Sequence, residues 1–126
     1  MKIFLIVIMV IYSGISFASE EQLEGMWKDQ DEPVWLELTL SDDGMLQGVM
    51  KRNDNDPEMV GKVILKDISG KSENSWDGKV WANIFGSYKN AELTLEKSGR
   101  LQIEVSVGFL SKTVHWVPAN TIGNKE

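Results

Sequence analysis

The sequence predicts an all-β protein, a small antiparallel up-and-down β-barrel with a short N-terminal helix or turn. Segments of alternating apolar and polar residues recur along the chain, and tight turns separate them. A Gly-x-Trp motif, Gly25 to Trp27, opens the first predicted strand, and Trp116 lies on the last one. Large rings on the first and last strands suit a sheet that closes on itself, because closure removes unpaired edges.

The first 18 residues are predicted to be a signal peptide. A basic residue precedes the apolar run of residues 3–11, and Ser16 and Ala18 supply the small residues of a cleavage site. The run is shorter than the roughly 20 residues that span a bilayer. We therefore expect cleavage after Ala18, no stable membrane insertion afterwards, and a single barrel domain over residues 19–126. The expected location is the periplasm, with secretion as the alternative.

The net charge of the chain argues against some classes of binding partner, and the absence of cysteine bears on its stability. The chain has 126 residues, a formal net charge of −6 and no cysteine. Nucleic acid and anionic lipid surfaces are attracted by a positive field. An acidic protein lacks such a field overall, so neither is expected as a partner. Without cysteine in an oxidising compartment, stability depends on packing alone.

The first hairpin has the clearest strand pattern. Residues 34–40 alternate, with their even-numbered apolar residues on one face, and residues 46–52 return as the partner strand. Asp43 and Gly44 supply the positive φ angles of a tight turn between them. Before this hairpin, residues 19–26 are the one helix candidate, since they combine a serine N-cap with acidic residues in the first turn.

The middle of the chain is less regular. Pro57 lies in a polar loop and cannot donate to a sheet ladder. Residues 59–68 fit either a strand or a short helix, and residues 69–75, which contain glycine and serine, are predicted to form a loop. Residues 76–85 are predicted as the next strand.

The last third of the chain alternates again. Residues 91–97 and 101–107 are predicted strands, joined by a turn at Ser98 and Gly99. The last predicted strand covers residues 112–117, and Pro118 is expected to end it.

Several of these motifs together resemble one family. They are Gly25-Met26-Trp27, Ser41-Asp42-Asp43-Gly44-x-Leu46-x-Gly48, Trp76-Asp77-Gly78-Lys79-Val80-Trp81 and Gly108-Phe109-Leu110-Ser111-Lys112-Thr113-x-x-Trp116. Their order resembles the small exported bacterial proteins catalogued as domain of unknown function 2147. The resemblance implies a small, lipocalin-like β-barrel with the capacity to hold an apolar molecule. Such proteins often carry an arginine after the closing tryptophan, where this chain has Val117 and Pro118.

Catalytic and metal-binding patterns are weak. The single histidine, His115, alternates with Trp116, so it faces solvent if Trp116 faces inward, and a triad would need Ser106 or Ser111 beside it. The carboxylates of residues 54, 56 and 58 alternate like calcium ligands, but the glycine and the distant glutamate of a calcium loop are missing. We therefore predict a protein that is not an enzyme and has no metal or other cofactor.

The predicted inner face is almost purely aliphatic, with no inward charge. The leading hypothesis is a binder of a small apolar or amphipathic, lipid-like molecule, with Arg52 at a strand end as the one cation for a head group. The candidate residues for the ligand pocket or barrel closure are Trp27, Leu36, Leu38, Arg52, Trp76, Val105 and Trp116. The alternative is an interaction or inhibitor module with a filled barrel, which contacts an envelope protein through exposed Trp35 and Trp81. The other interpretation of these two tryptophans is that they snorkel or are covered by the N-terminal segment.

Overall fold

A computed structural model describes residues 20–119, so the predicted signal peptide lies outside the described residues. Eight antiparallel strands follow one another in chain order and close into a barrel, which confirms the predicted fold class. The strands are β1 (Gly25–Asp29), β2 (Val34–Leu40), β3 (Leu46–Asn53), β4 (Val63–Ser72), β5 (Ser75–Ala82), β6 (Ser87–Leu95), β7 (Leu101–Val107) and β8 (Leu110–Ala119). Short 3-10 turns cover Glu20–Gln22 and Pro57–Met59. Within residues 20–119, no helix is long and apolar enough to cross a membrane.

The strand directions give the barrel two different ends. The connections β1–β2, β3–β4, β5–β6 and β7–β8 all lie at one end, here called the open end. The other three connections lie at the opposite end, here called the closed end, together with the start of β1 and the finish of β8. The residue before β1 that plugs the closed end is Leu23, which is fully buried in the core. The indole Nε1 of Trp27 donates a hydrogen bond to the Leu23 carbonyl oxygen at 2.8 Å and holds this segment in place.

Pairing of β1 with β8 closes the sheet, as the terminal motifs predict. Trp27 lies opposite Pro118, and Asp29 lies opposite Trp116. Both tryptophans belong to the single buried core cluster. Closure leaves no strand of the barrel with an unpaired edge, which protects an all-β protein from edge-to-edge association.

Several boundaries differ from the prediction. The predicted loop at residues 69–75 is wrong, because β4 runs to Ser72 and β5 begins at Ser75. Asp67 has a positive φ of 54° at a register shift, so an extra residue there lets the polar half of β4 keep pairing with β5. Pro118 lies inside β8 rather than after it, since a proline near a strand end removes at most one ladder hydrogen bond.

Side chains fill the barrel at the level of Gly48. A Cβ atom added at Gly48 would lie 2.8 Å from Cδ2 of Leu38 and 3.2 Å from Cβ of Leu65. Both leucines are almost completely buried. The absence of a side chain at Gly48 therefore makes room for residues from the neighbouring strands. Leu40, by contrast, continues the same alternation but is half-exposed, because it lies at the closed-end rim of β2.

Candidate ligand site at the open end

Along β5 and β7, burial of the inner wall decreases from the closed end to the open end. Trp76 and Leu101, which lie near the closed-end limits of β5 and β7, have at most 1% of their surface exposed. Val80 and Val105 lie further along the same strands, towards the open end, and are only partly buried. The inner wall is therefore most accessible to a ligand near the open end, where its lining is apolar.

Two lysines share this part of the inner wall. Lys89 of β6 lies directly opposite Val80, and Lys112 of β8 lies directly opposite Val105. Directly opposed residues of antiparallel strands place their side chains on the same face of the sheet. The two lysines are therefore in register with the inward-facing valines, and β6 and β8 are separated by β7, which places their backbones roughly 10 Å apart.

Neither lysine is neutralised by the protein. The ammonium group of Lys89 lies 4.9 Å from the centroid of the Phe85 ring. Within residues 20–119, neither Lys89 nor Lys112 forms a salt bridge. The open end thus combines apolar wall with two positive charges that are free to meet an anionic group. The prediction of an inner face without charge is wrong at this level of the barrel.

Arg52, the predicted head-group cation, lies on the outer wall instead. A register shift between Trp35 and Leu36 places Arg52 opposite Trp35, and a one-residue shift moves a side chain to the other face of a sheet. Its guanidinium carbon lies 4.8 Å from the Trp35 ring centroid. Its Nε and Nη2 donate hydrogen bonds to the two carboxylate oxygens of Asp54 at 2.8 and 2.9 Å. These hydrogen bonds lower the pKa of Asp54.

The two tryptophans predicted to be exposed are covered. Trp35 has only 8% of its surface exposed, because Arg52 and Lys28 lie over its ring, so its predicted exposure is wrong. Trp81 is half-buried and packs edge-to-face against Tyr88, with ring centroids 5.2 Å apart. The ammonium group of Lys62 lies 4.6 Å from the Trp81 centroid. Outward-pointing aromatic rings capped by basic side chains explain both results.

Open cavities also occur on the outer wall. One of about 510 Å³ is lined by polar residues of β3, β4 and β6 and of the β2–β3 turn, among them Gln47, Lys66 and Tyr88. A second, of about 410 Å³, lies along Lys79 and Asn90. Most of the lining side chains, such as Gln47, Lys66 and Asn90, alternate in sequence with core residues and therefore lie on the outer wall.

The residues considered for catalysis are not brought together. His115 lies opposite Gln102 and is half-buried, with its Nε2 3.5 Å from a carboxylate oxygen of Glu96. Arg100 donates a hydrogen bond to the same carboxylate, and this bond holds the pKa of Glu96 below its usual range. Ser106 and Ser111 pair with each other several residues away, next to the open end. Residues 20–119 contain no group of three or more side chains suited to a metal ion.

The closed eight-stranded barrel, with one plugged end and one accessible end, defines a lipocalin-like fold. The chain is similar in structure to protein HP1028 from the human pathogen Helicobacter pylori, which is described as belonging to the lipocalin family. The TM-score is 0.58 at 19% sequence identity, over 78% of this chain and 83% of the other. No family model matches the chain, and no curated protein does so. Membership of the family catalogued as domain of unknown function 2147 therefore stays a prediction.

Proposed function

We propose that the protein is a non-catalytic, periplasmic barrel that binds one small amphipathic molecule with an anionic head group at its open end. The observation that carries the proposal is the register that places Lys89 and Lys112 on the same inner wall as Val80 and Val105. The valines would pack against the apolar part of the ligand, and the lysines would bind its acidic head. Fatty acids and anionic lysolipids have this chemistry.

The filled closed half limits the ligand. Leu38 and Leu65 occupy the space beside Gly48, so the apolar part of a ligand would have to lie between that level and the open end. We therefore propose a preference for short or medium chains. The likeness to a lipocalin supports the proposal at the level of the fold. The predicted signal peptide and the absence of cysteine fit an exported protein that folds without disulfides.

The alternative interaction module receives less support. It requires Trp35 and Trp81 as accessible anchors, because interface energy concentrates in aromatic residues that a partner can bury. Trp35 is already buried beneath Lys28 and Arg52, and Trp81 is half-covered.

The head-group preference is tested with three single-chain amphiphiles of equal length: decanoate, decanol and decyltrimethylammonium. The two ionic amphiphiles are kept below their critical micelle concentrations, and decanol is kept below its solubility limit. We expect decanoate to bind most tightly and to raise the melting temperature by mass action. Because each lysine would make a charge-assisted hydrogen bond, Lys89→Gln or Lys112→Gln should weaken decanoate binding about tenfold or more. Isothermal titration calorimetry measures the loss.

Lys79→Gln is the matched control, because Lys79 lies on the outer wall and its ammonium group donates a hydrogen bond to Asn90 at 2.9 Å. Decanoate binding to this variant should equal that of the unchanged protein. Equal binding of the cationic and anionic amphiphiles, or an equal loss in all three lysine variants, would show that the inner-wall lysines do not select the ligand.

A further inference from the structure

Two neighbouring hairpin tips at the open end expose large apolar side chains. The β5–β6 tip carries Ile84, with 88% of its surface exposed, and the half-exposed Phe85. The β7–β8 tip carries Phe109, with 98% exposed, and Leu110. These tips are neighbours on the rim because β6 pairs with β7. Single exposed apolar residues are ordinary, but adjacent pairs on two neighbouring tips mark an interaction surface.

The strands that carry these tips are locally positive. Residues 78–91 and 105–119 contain no aspartate or glutamate but three lysines, Lys79, Lys89 and Lys112. The nearest carboxylates form a row across β5, β6 and β7, at positions further from the open end. They belong to Asp77, Glu92 and Glu104, which lie opposite one another in that order. The lysines therefore lie between the apolar tips and the row of carboxylates, and this part of the surface is positive although the whole chain is acidic.

An aromatic pair next to the β5–β6 tip also suits a membrane interface. Trp81 and Tyr88 lie opposite each other, close to the β5–β6 tip. Tryptophan and tyrosine favour the boundary between water and lipid, because one end of each ring is apolar and the other is polar. Exposed aliphatic residues, aromatic rings and lysines thus follow in that order along the barrel axis, as on proteins that rest in a membrane interface.

The remaining half of the open end has the opposite charge. The β1–β2 and β3–β4 connections are rich in carboxylates: Asp31, Glu32, Asp54, Asp56 and Glu58. An anionic surface would repel this half and attract the half formed by β5 to β8. Contact through one side of the rim would leave the molecule tilted.

We propose that the β5–β6 and β7–β8 tips dock the open end, shallowly and reversibly, on an anionic lipid bilayer. A second copy of the protein that docks tip to tip is a poorer occupant, because two surfaces that each carry three lysines and no carboxylate repel each other. Two hairpin tips are also too short to cross the hydrocarbon core, so they reach only the interface. The docking shares Lys89 and Lys112 with the proposed ligand site but does not require a bound ligand, and it would bring that site next to a source of amphiphiles.

The absence of cysteine allows a clean reporter. Ser111→Cys, beside the β7–β8 tip, carries a polarity-sensitive dye, and Ser98→Cys on the β6–β7 turn is the closed-end control. Vesicles of phosphatidylglycerol with phosphatidylcholine should shift the emission of the dye at position 111 to the blue and leave the dye at position 98 unchanged. Pure phosphatidylcholine vesicles should produce little shift, and salt should weaken the anionic response.

Variants then separate docking from ligand binding. Ile84→Ser with Phe109→Ser should lower the affinity for anionic vesicles at least tenfold, whereas the closed-end pair Leu40→Ser with Met45→Ser should not change it. Lys79→Gln should lower vesicle affinity about fivefold and leave decanoate binding unchanged.

Three results would overturn the proposal. They are no response to anionic vesicles, an equal loss in the tip and closed-end double variants, and a dimer in sedimentation that only the tip variant dissociates. Because decanoate binding is measured separately, failure of docking leaves the proposed ligand site untouched, and the reverse also holds.

Discussion

The buried tryptophans differ at the level of single atoms. Nε1 of Trp27 donates a hydrogen bond to the Leu23 carbonyl oxygen. Nε1 of Trp76 and Nε1 of Trp116 are buried without an acceptor among residues 20–119. A buried donor without a partner costs about 1–3 kcal/mol of stability. The same side chain therefore has different energetic consequences at the three positions.

Replacement by phenylalanine should reveal this difference. Trp27→Phe removes a hydrogen bond and leaves the Leu23 carbonyl without the indole, whereas Trp116→Phe removes a donor that has no protein acceptor. Both changes remove a similar volume, so Trp27→Phe should lower the free energy of unfolding by about 1–2 kcal/mol more than Trp116→Phe does. Urea denaturation of the two variants measures the difference. Equal losses in the free energy of unfolding would show that the hydrogen bond from Trp27 to Leu23 does not contribute to stability.

At the scale of the strands, alternation predicted most of the barrel. The bounds of β2 and β7 agree with the sequence pattern, because their apolar residues alternate without interruption. The side of the sheet on which Arg52 lies was not predictable in this way. A register shift at Trp35 moves Arg52 to the outer wall, and the alternation of apolar and polar residues does not reveal that shift.

The two inner-wall lysines were also missed, although a sequence signal existed. The predicted strand began at Ala91, whereas β6 begins at Ser87. Extending the alternation of Leu93 and Ala91 backwards reaches Lys89, and that of Trp116 and Val114 reaches Lys112. The exposed end of a strand loses its apolar character before it loses its pairing, so polarity alone placed the start of β6 too late in the chain.

The close approach of β2, β3 and β4 at Gly48 is also testable. Gly48→Ala should cost about 1–3 kcal/mol by overpacking against Leu38 and Leu65. Gln47→Ala, on the outer face of the same strand, should stay within about 0.5 kcal/mol of the unchanged protein. Adding Leu38→Val to Gly48→Ala should make the double variant more stable than the sum of the single losses predicts. Strict additivity would show that Leu38 does not limit the space.

At the scale of the whole molecule, every strand pairs with its neighbours in sequence except at the closure. Met26 lies opposite Ala119, so the first and last strands meet at the closed end. Seven local connections and one distant pairing define the barrel. The strands would therefore keep the same order around the barrel if β8 were joined covalently to β1 and one of the seven hairpin connections were cut.

A circular permutant tests this independence. Ala119 is joined to Glu20 by a flexible linker of about eight residues, which keeps Leu23 in place, and new ends are made between the exposed Glu73 and Asn74 of the β4–β5 turn. Exposed turns tolerate new termini, so the permutant should form the same barrel and melt within several degrees of the parent. Far-ultraviolet circular dichroism during heating measures both properties. A permutant that stays unfolded would show that the β4–β5 turn is needed for assembly.

The even number of strands has a practical consequence for handling the protein. Because β1 starts and β8 finishes at the closed end, a fusion partner, affinity tag or sensor chip joined directly before Glu20 or after Ala119 attaches to the closed end of the barrel. Its lysine-lined opening and its apolar rim then point into solution, so neither attachment needs to obstruct the measurement of soluble amphiphiles or of vesicles.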